Sequence, residues 1–277
     1  MKKLQIAPLI LLVTITFIAH AQKLPNIQQT SLRAPDNIKI DGKATEWNNQ
    51  FQAYNKATEV FYTLSNDDNN LYLTVQATNP DIINKIYSSG LTFTVNLSNK
   101  KNDKEGISIT YPIFDKENRF HVNIKAKPVI IPNSQLSIIK ADSFMNANNT
   151  LMTNKAKLIM VTGISGIDTL ISVYNEKGIK AAALFDNGMT YTLELGMPLR
   201  HLRISVNDSM KFAYHVQLHP IRTGSDNVKR MQVIDRNGNM VNTVEPVSLA
   251  DIQRAPLMIS TTDFWGEYTL AKKIKLT

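Results

Sequence analysis

Side chains capable of chemistry are sparse and widely spaced in this chain. Cysteine is absent, which removes thiol nucleophiles, disulfides and Cys-ligated zinc or iron–sulfur centres. The histidines are His20, His121, His201, His215 and His219. His215 and His219 share a face if one strand runs through both, but four residues at about 3.3 Å each set them roughly 13 Å apart, too far to chelate one ion. Gly163-Ile164-Ser165-Gly166 lacks the G-x-S-x-G spacing that presents a serine nucleophile on a strand-to-helix turn. Asp67 and Asp68 are hard oxygen ligands of the kind calcium takes, although acids at a hairpin tip are more simply a solvated turn. Paired carboxylates for glycoside hydrolysis are defined by a spatial separation, which sequence does not give. The residues therefore read as a non-catalytic protein with no cofactor and no metal.

Charge narrows the partners. The 277 residues carry 31 Lys+Arg against 23 Asp+Glu, a net charge of +8. The basic residues are scattered, with short clusters at Lys100-Lys101, Lys125/Lys127 and Lys272-Lys273-Lys275, and acids interleave with most of them. Nucleic-acid binding wants a concentrated basic stripe, and none is present. Met1 to Ala21 has a basic start (Lys2, Lys3), an apolar run from Ile6 to Ile18 and a small-x-small site at Ala19-His20-Ala21, the pattern of a secretory signal peptide. Cleavage would leave Gln22 as the mature N-terminus, in the periplasm or outside the cell. The apolar run falls short of a membrane span, no Cys follows it for lipidation and no second apolar span occurs, so no membrane anchor is expected.

The elements that must position any site follow a period of two. Thr58 to Leu64 and Leu71 to Ala77 flank the polar cluster Ser65 to Asn70, a hairpin signal. Alternation recurs from Leu91 to Leu97, Ile107 to Tyr111, Phe120 to Ile124, Lys157 to Val161, Asp168 to Tyr174 and Ile179 to Phe185, and is clearest in Met189 to Leu195 and Met210 to Leu218. It predicts an all-β fold, an antiparallel sandwich of immunoglobulin-like or jelly-roll-like type with long loop insertions. Val60, Tyr62, Leu73, Val75, Tyr191, Leu193, Phe212, Tyr214 and Val216 should face inward, and Thr74, Thr192 and His215 outward. Two stretches break the rhythm: Pro132 to Asn154, with a short helix expected around Ser134 to Met145, and the polar, irregular Ile221 to Ala255. Phe264 to Leu276 reads as a closing strand with Leu270 and Ile274 in the core. The organisation expected is a signal peptide at 1–21, an N-terminal extension at 22–34 and one domain at 35–277.

Several of these stretches resemble a known family. Ile38-Lys39-Ile40-Asp41-Gly42-Lys43-Ala44-Thr45-Glu46-Trp47 is similar to the opening "I-x-I-D-G-x-x-x-x-x-W" of the carbohydrate-binding module family 9-like (DOMON-like) sandwiches, with four residues in place of five between Gly42 and Trp47. Asp67-Asp68-Asn69-Asn70-Leu71-Tyr72 resembles the family's "D-D-x-x-L-Y" hairpin, Tyr191 to Leu199 its "Y-x-x-E-hydrophobic-x-x-P" strand end, and Phe212 to Gln217 the strand after it. The resemblance implies exported, non-catalytic binding of a sugar or glycan between two aromatic rings, here Trp265 and Tyr87. The family's acidic "D-x-hydrophobic-E" reads Ser89-Gly90-Leu91-Thr92 in this chain, without an acid. Glu194, Lys211, His215 and Gln217 offer polar groups on outward positions. Asp41-Gly42 supplies turn chemistry, and Trp47 is expected to plug the end of the sandwich. Two other classes remain open at this point. Some DOMON-like relatives hold haem through Met and a basic or imidazole ligand, and Met189, Met197, Met210 and Met231 are present, though Met at alternating strand positions is usually core filler. An interaction or scaffold subunit of an exported assembly would instead expose a broad apolar patch to a protein partner.

Overall fold

The computed structural model describes residues 23–115, 122, 124–221, 230–234, 240–244 and 249–273. The leader expected at 1–21 lies outside the described residues, as do His121, the side chain of Met231 and Ile274. The strands are β1 (Ala53–Asn55), β2 (Val60–Asn66), β3 (Asn70–Ala77), β4 (Leu91–Asn96), β5 (Ile107–Ile113), β6 (Leu158–Thr162), β7 (Leu170–Ser172), β8 (Lys180–Phe185), β9 (Tyr191–Pro198), β10 (Lys211–Leu218), β11 (Arg230–Ile234), β12 (Met240–Val244) and β13 (Thr262–Thr269). Between them stand helices α1 (Pro80–Ser89), α2 (Gln135–Lys155), α3 (Leu199–Leu202) and α4 (Leu249–Ile259).

Alternation does what the sequence pattern predicts. A five-stranded sheet runs β1-β2-β3-β9-β8 and a six-stranded one β13-β10-β4-β5-β6-β7, every pairing antiparallel. All nine residues expected inside are buried in one shared core, and Tyr62 and Tyr214 join the sheets through their hydroxyls at 3.0 Å. This is an all-β sandwich. Gly266 sits over the Tyr214 ring, where any Cβ would collide with the aromatic carbons; only glycine lets β13 lie that close.

The departures are local and have causes. The helix expected around 134–145 extends to Lys155, capped by Ser134 and pinned by Asn149 to β8. The stretch read as irregular, 221–255, holds the β11–β12 hairpin and most of α4. Trp47 is buried as expected, but it does not plug an end. With Ala44 and Phe51 it forms a second small core, bonded through Nε1 to Thr74 Oγ1 on the outer side of β3. The segment ahead of the sandwich is built into it: Gln28 accepts the Leu64 N–H and donates to the Leu64 carbonyl, both at 2.8 Å, acting as a one-residue strand neighbour.

Candidate functional site

The register of β10 against β13 places His215 opposite Trp265, Gln217 opposite Asp263 and Ala213 opposite Glu267. Because side chains alternate, Lys211, His215 and Gln217 then share the outer face of the six-stranded sheet with Asp263, Trp265 and Glu267. The imidazole of His215 lies flat against the indole of Trp265, ring centres 4.3 Å apart and planes 6° off parallel. Its Nδ1 meets Asp103 Oδ1 at 2.8 Å and its Nε2 meets Asp263 Oδ2 at 2.9 Å. The two aspartates thus hold the imidazole by both of its ring nitrogens and fix its plane against the indole.

Asp103 reaches His215 from the β4–β5 loop, in a short 3₁₀ turn at Asp103–Glu105. Asn102 caps that turn by accepting the Lys104 N–H, and Asn96 Nδ2 holds the Asn102 carbonyl at 2.7 Å. The ring of Trp265 is thus fixed by a stack of supports rather than by its own rotamer. It floors a cleft of about 440 Å³ whose sides are Gln29, Thr30 and Ser31, Lys101, and the Lys211–Glu267 ion pair. That pair is exposed, with N···O 3.0 Å, so it is worth little to stability and is free to exchange partners.

Of the six residues singled out in the sequence, Trp265, Lys211, His215 and Gln217 fall on one sheet face, and Trp265 and Lys211 line the cleft. His215 is 4 % exposed and spends both nitrogens on aspartates, so it positions the indole and does not face a ligand. Gln217 lies one rung further, level with Asp263. Tyr87 is not an aromatic wall. It sits in α1, buried, with its ring against Phe114 at 5.3 Å, because Ile82, Ile83, Ile86 and Tyr87 form the helix's inward face. Glu194 belongs to the other sheet. It is fully buried and accepts the N–H groups of Asp41 and Gly42, each at 3.0 Å, and the Thr74 hydroxyl at 3.3 Å. Burial pushes its carboxyl up to about 7, against the pull of the two backbone donors. Gly42 has φ +83°, and a Cβ there would sit 2.7 Å from the Leu184 nitrogen; the D-G pair is needed to bring this turn onto the sheet.

Asp103, Asp263 and Glu267 were the site residues that sequence reasoning missed. The alternation that exposes Trp265 exposes Asp263 and Glu267 as well, so two of the three were readable. Elsewhere Asp67 closes its hairpin turn; burial raises its carboxyl, but bonds from the Tyr72 hydroxyl and the Asn69 and Asn70 N–H groups outweigh that and hold it below the usual value. Met189 and Met197 are core residues. Among the described residues no group of three or more His, Asp or Glu side chains is placed to hold a metal ion, and no helix is long and apolar enough to cross a membrane. Comparison of the chain with models of protein families and with curated proteins found no match.

Proposed function

We propose that the protein is an exported, non-catalytic carbohydrate-binding module whose ligand lies on Trp265. The observation that carries this reading is the indole held parallel on His215 at the floor of a cleft with polar walls. An aromatic face covers the C–H face of a sugar ring, while hydroxyl, amide and charged groups on the rim orient its hydroxyls. A pre-positioned platform spares the entropy of ordering it on binding. The contact area is small, so affinity for a single sugar should be weak. A glycan array followed by calorimetry on wild type and Trp265→Ala, with circular dichroism to check folding, tests the reading. Binding that survives Trp265→Ala unchanged defeats it.

A second reading, an interaction subunit of an exported assembly, is favoured by a different surface. Val129, Ile131, Leu136 and Ile139 are 78 %, 56 %, 63 % and 51 % exposed. Ser137 Oγ accepts the Ile131 N–H at 2.9 Å, which holds the end of the loop with Ile131 against the first turn of α2, next to Leu136. Exposed apolar side chains gathered on one segment are the kind of surface that meets a partner. Sedimentation of wild type beside Ile131→Ser/Leu136→Ser, alone and with co-exported proteins, separates this reading from glycan binding.

A further inference from the structure

The outer face of the five-stranded sheet carries a second opening that the Trp265 site does not use. The register across β3, β9 and β8 aligns Gln76, Thr192 and Leu184 in one row. The neighbouring row, Thr74 and Glu194, is roofed by Trp47 and the Asp41–Gly42 turn. Where that roof stops, Gln76, Thr192 and Leu184 line a cleft of about 810 Å³ bounded by Thr45 and Asn49 on one side and by α2 on the other.

Both walls are fixed. Asn149 donates to the Phe185 carbonyl and accepts the Phe185 N–H, each at 2.8 Å, which ties α2 to β8. Glu194 ties the Gly42 turn to β9. Within this frame the side-chain amides of Asn49, Asn146 and Asn154 have no hydrogen-bond partner among the described residues. The charged groups at the cleft are Lys43, Asp142 and Asp186, a mixture that favours neither an anion nor a cation.

We infer that this cleft is a second carbohydrate site, which takes an uncharged polyhydroxylated chain through the Asn and Thr side chains of α2 and the Thr45–Asn49 segment. The inference rests on the glycan reading of the protein but not on Trp265. An amide both donates and accepts, as a sugar hydroxyl does, so free amides on two facing walls match a row of hydroxyls. A peptide adding as a strand would need the open edge of β8. That edge is taken at Phe185 by Asn149, and the Gly42 turn lies close against the Ala183–Leu184 backbone. Recognition here would be by hydrogen bonds, since Phe185 is buried and offers no open ring.

The test is isothermal titration of the whole protein with soluble neutral hexasaccharides of glucose, xylose and mannose, and with an uncharged extended peptide. Wild type is compared with Trp265→Ala, Asn146→Ala/Asn154→Ala and the triple variant. Both asparagines are exposed helix positions where Ala favours the helix, so folding should hold. Trp265→Ala should retain one binding event. Adding Asn146→Ala/Asn154→Ala should weaken that event by roughly tenfold or more, the loss expected for two hydrogen bonds. If Trp265→Ala removes all binding, or if the triple variant binds as Trp265→Ala does, the second site is wrong. If Trp265→Ala changes nothing and the asparagine pair removes all binding, the Trp265 assignment falls and this one stands. Binding of the peptide in place of any saccharide overturns the ligand class, and a wild type that binds no saccharide overturns both sites.

Discussion

Two buried groups carry most of the logic at the residue scale, and neither touches a ligand. His215 holds Trp265 flat, so His215→Ala should free the indole to rotate. The expected result is a loss of glycan affinity of about 5-fold or more, since ordering a large side chain on binding costs on the order of 0.5–1.5 kcal/mol. Acrylamide quenching of Trp265 in a Trp47→Phe background should rise in parallel, and unchanged quenching would show that the imidazole does not set the ring. Glu194 makes a second, independent prediction. Its native carboxyl titrates near 7 against an ordinary 4.5, so between these values the folded state binds more protons than the unfolded one. Stability contributed at acid pH is therefore lost as pH rises through that window, by up to about 3 kcal/mol at 1.36 kcal/mol per unit. Urea unfolding from pH 4.5 to 7.5 should show the decline, and Glu194→Gln should flatten it. The motifs show Asp41-Gly42, Trp47 and Glu194 separately but not that Glu194 accepts from the Asp41-Gly42 turn and is linked to Trp47 through Thr74, because a hydrogen bond between residues 152 apart in sequence leaves no periodic trace.

At the scale of elements, strands are readable and helices only in part: the helix expected around 134–145 is the start of α2, whereas α1 and α4 are not foreseen. Alternation announces which side of a strand is inside, and the core followed it residue by residue. It says nothing about what lies over the outer face, which is why the outward position of Glu194 reads as exposed although Trp47 and a turn cover it. The helix α1 does leave a local signal: Asn79 accepts the Asp81 N–H as an N-cap, Pro80 stands in the first turn and Gly90 closes the end with φ +82°. That signal places Tyr87 on a helix whose inward face is set by Ile82, Ile83 and Ile86. The same helix carries Lys85, fully buried, whose ammonium donates to the Leu257 and Ser260 carbonyls and to Thr262 Oγ1 at 2.6, 2.8 and 2.9 Å. It closes the C-terminal end of α4, where a cation is favoured, and burial lowers its pKa to about 8. Lys85→Met should leave those carbonyls unpaired at a cost of about 2 kcal/mol, lowering Tm by roughly 4–8 °C. Limited proteolysis should then cut first within 249–259, and cutting elsewhere would mean that Lys85 does not anchor α4.

For the molecule as a whole, the segment that follows the proposed leader is part of the folded structure and of the Trp265 cleft. The small-x-small site at Ala19–Ala21 predicts a mature chain beginning at Gln22, and the structure is bonded almost from there. Asn26 accepts the Lys56 N–H, Gln28 satisfies both backbone groups of Leu64, and Leu32 pairs with Asn66 and Tyr268. The same stretch supplies Gln29, Thr30 and Ser31 to the Trp265 cleft. Residues 23–34 are thus the border of the sandwich, a role composition alone does not reveal because amide side chains there look like linker. Protein recovered from outside the cytoplasm should have the mass of a chain starting at Gln22. Removing 22–31 should strip one wall from the cleft and leave the Leu64 N–H and C=O without their Gln28 partner, a loss of about 1–3 kcal/mol for each buried group left unsatisfied. Gln28→Ala separates the two effects, since it removes the bonds to Leu64 but keeps the wall. It should lower the urea midpoint while glycan affinity holds, whereas the truncation should lower both; equal affinity in the truncated protein would place the ligand elsewhere than on Trp265.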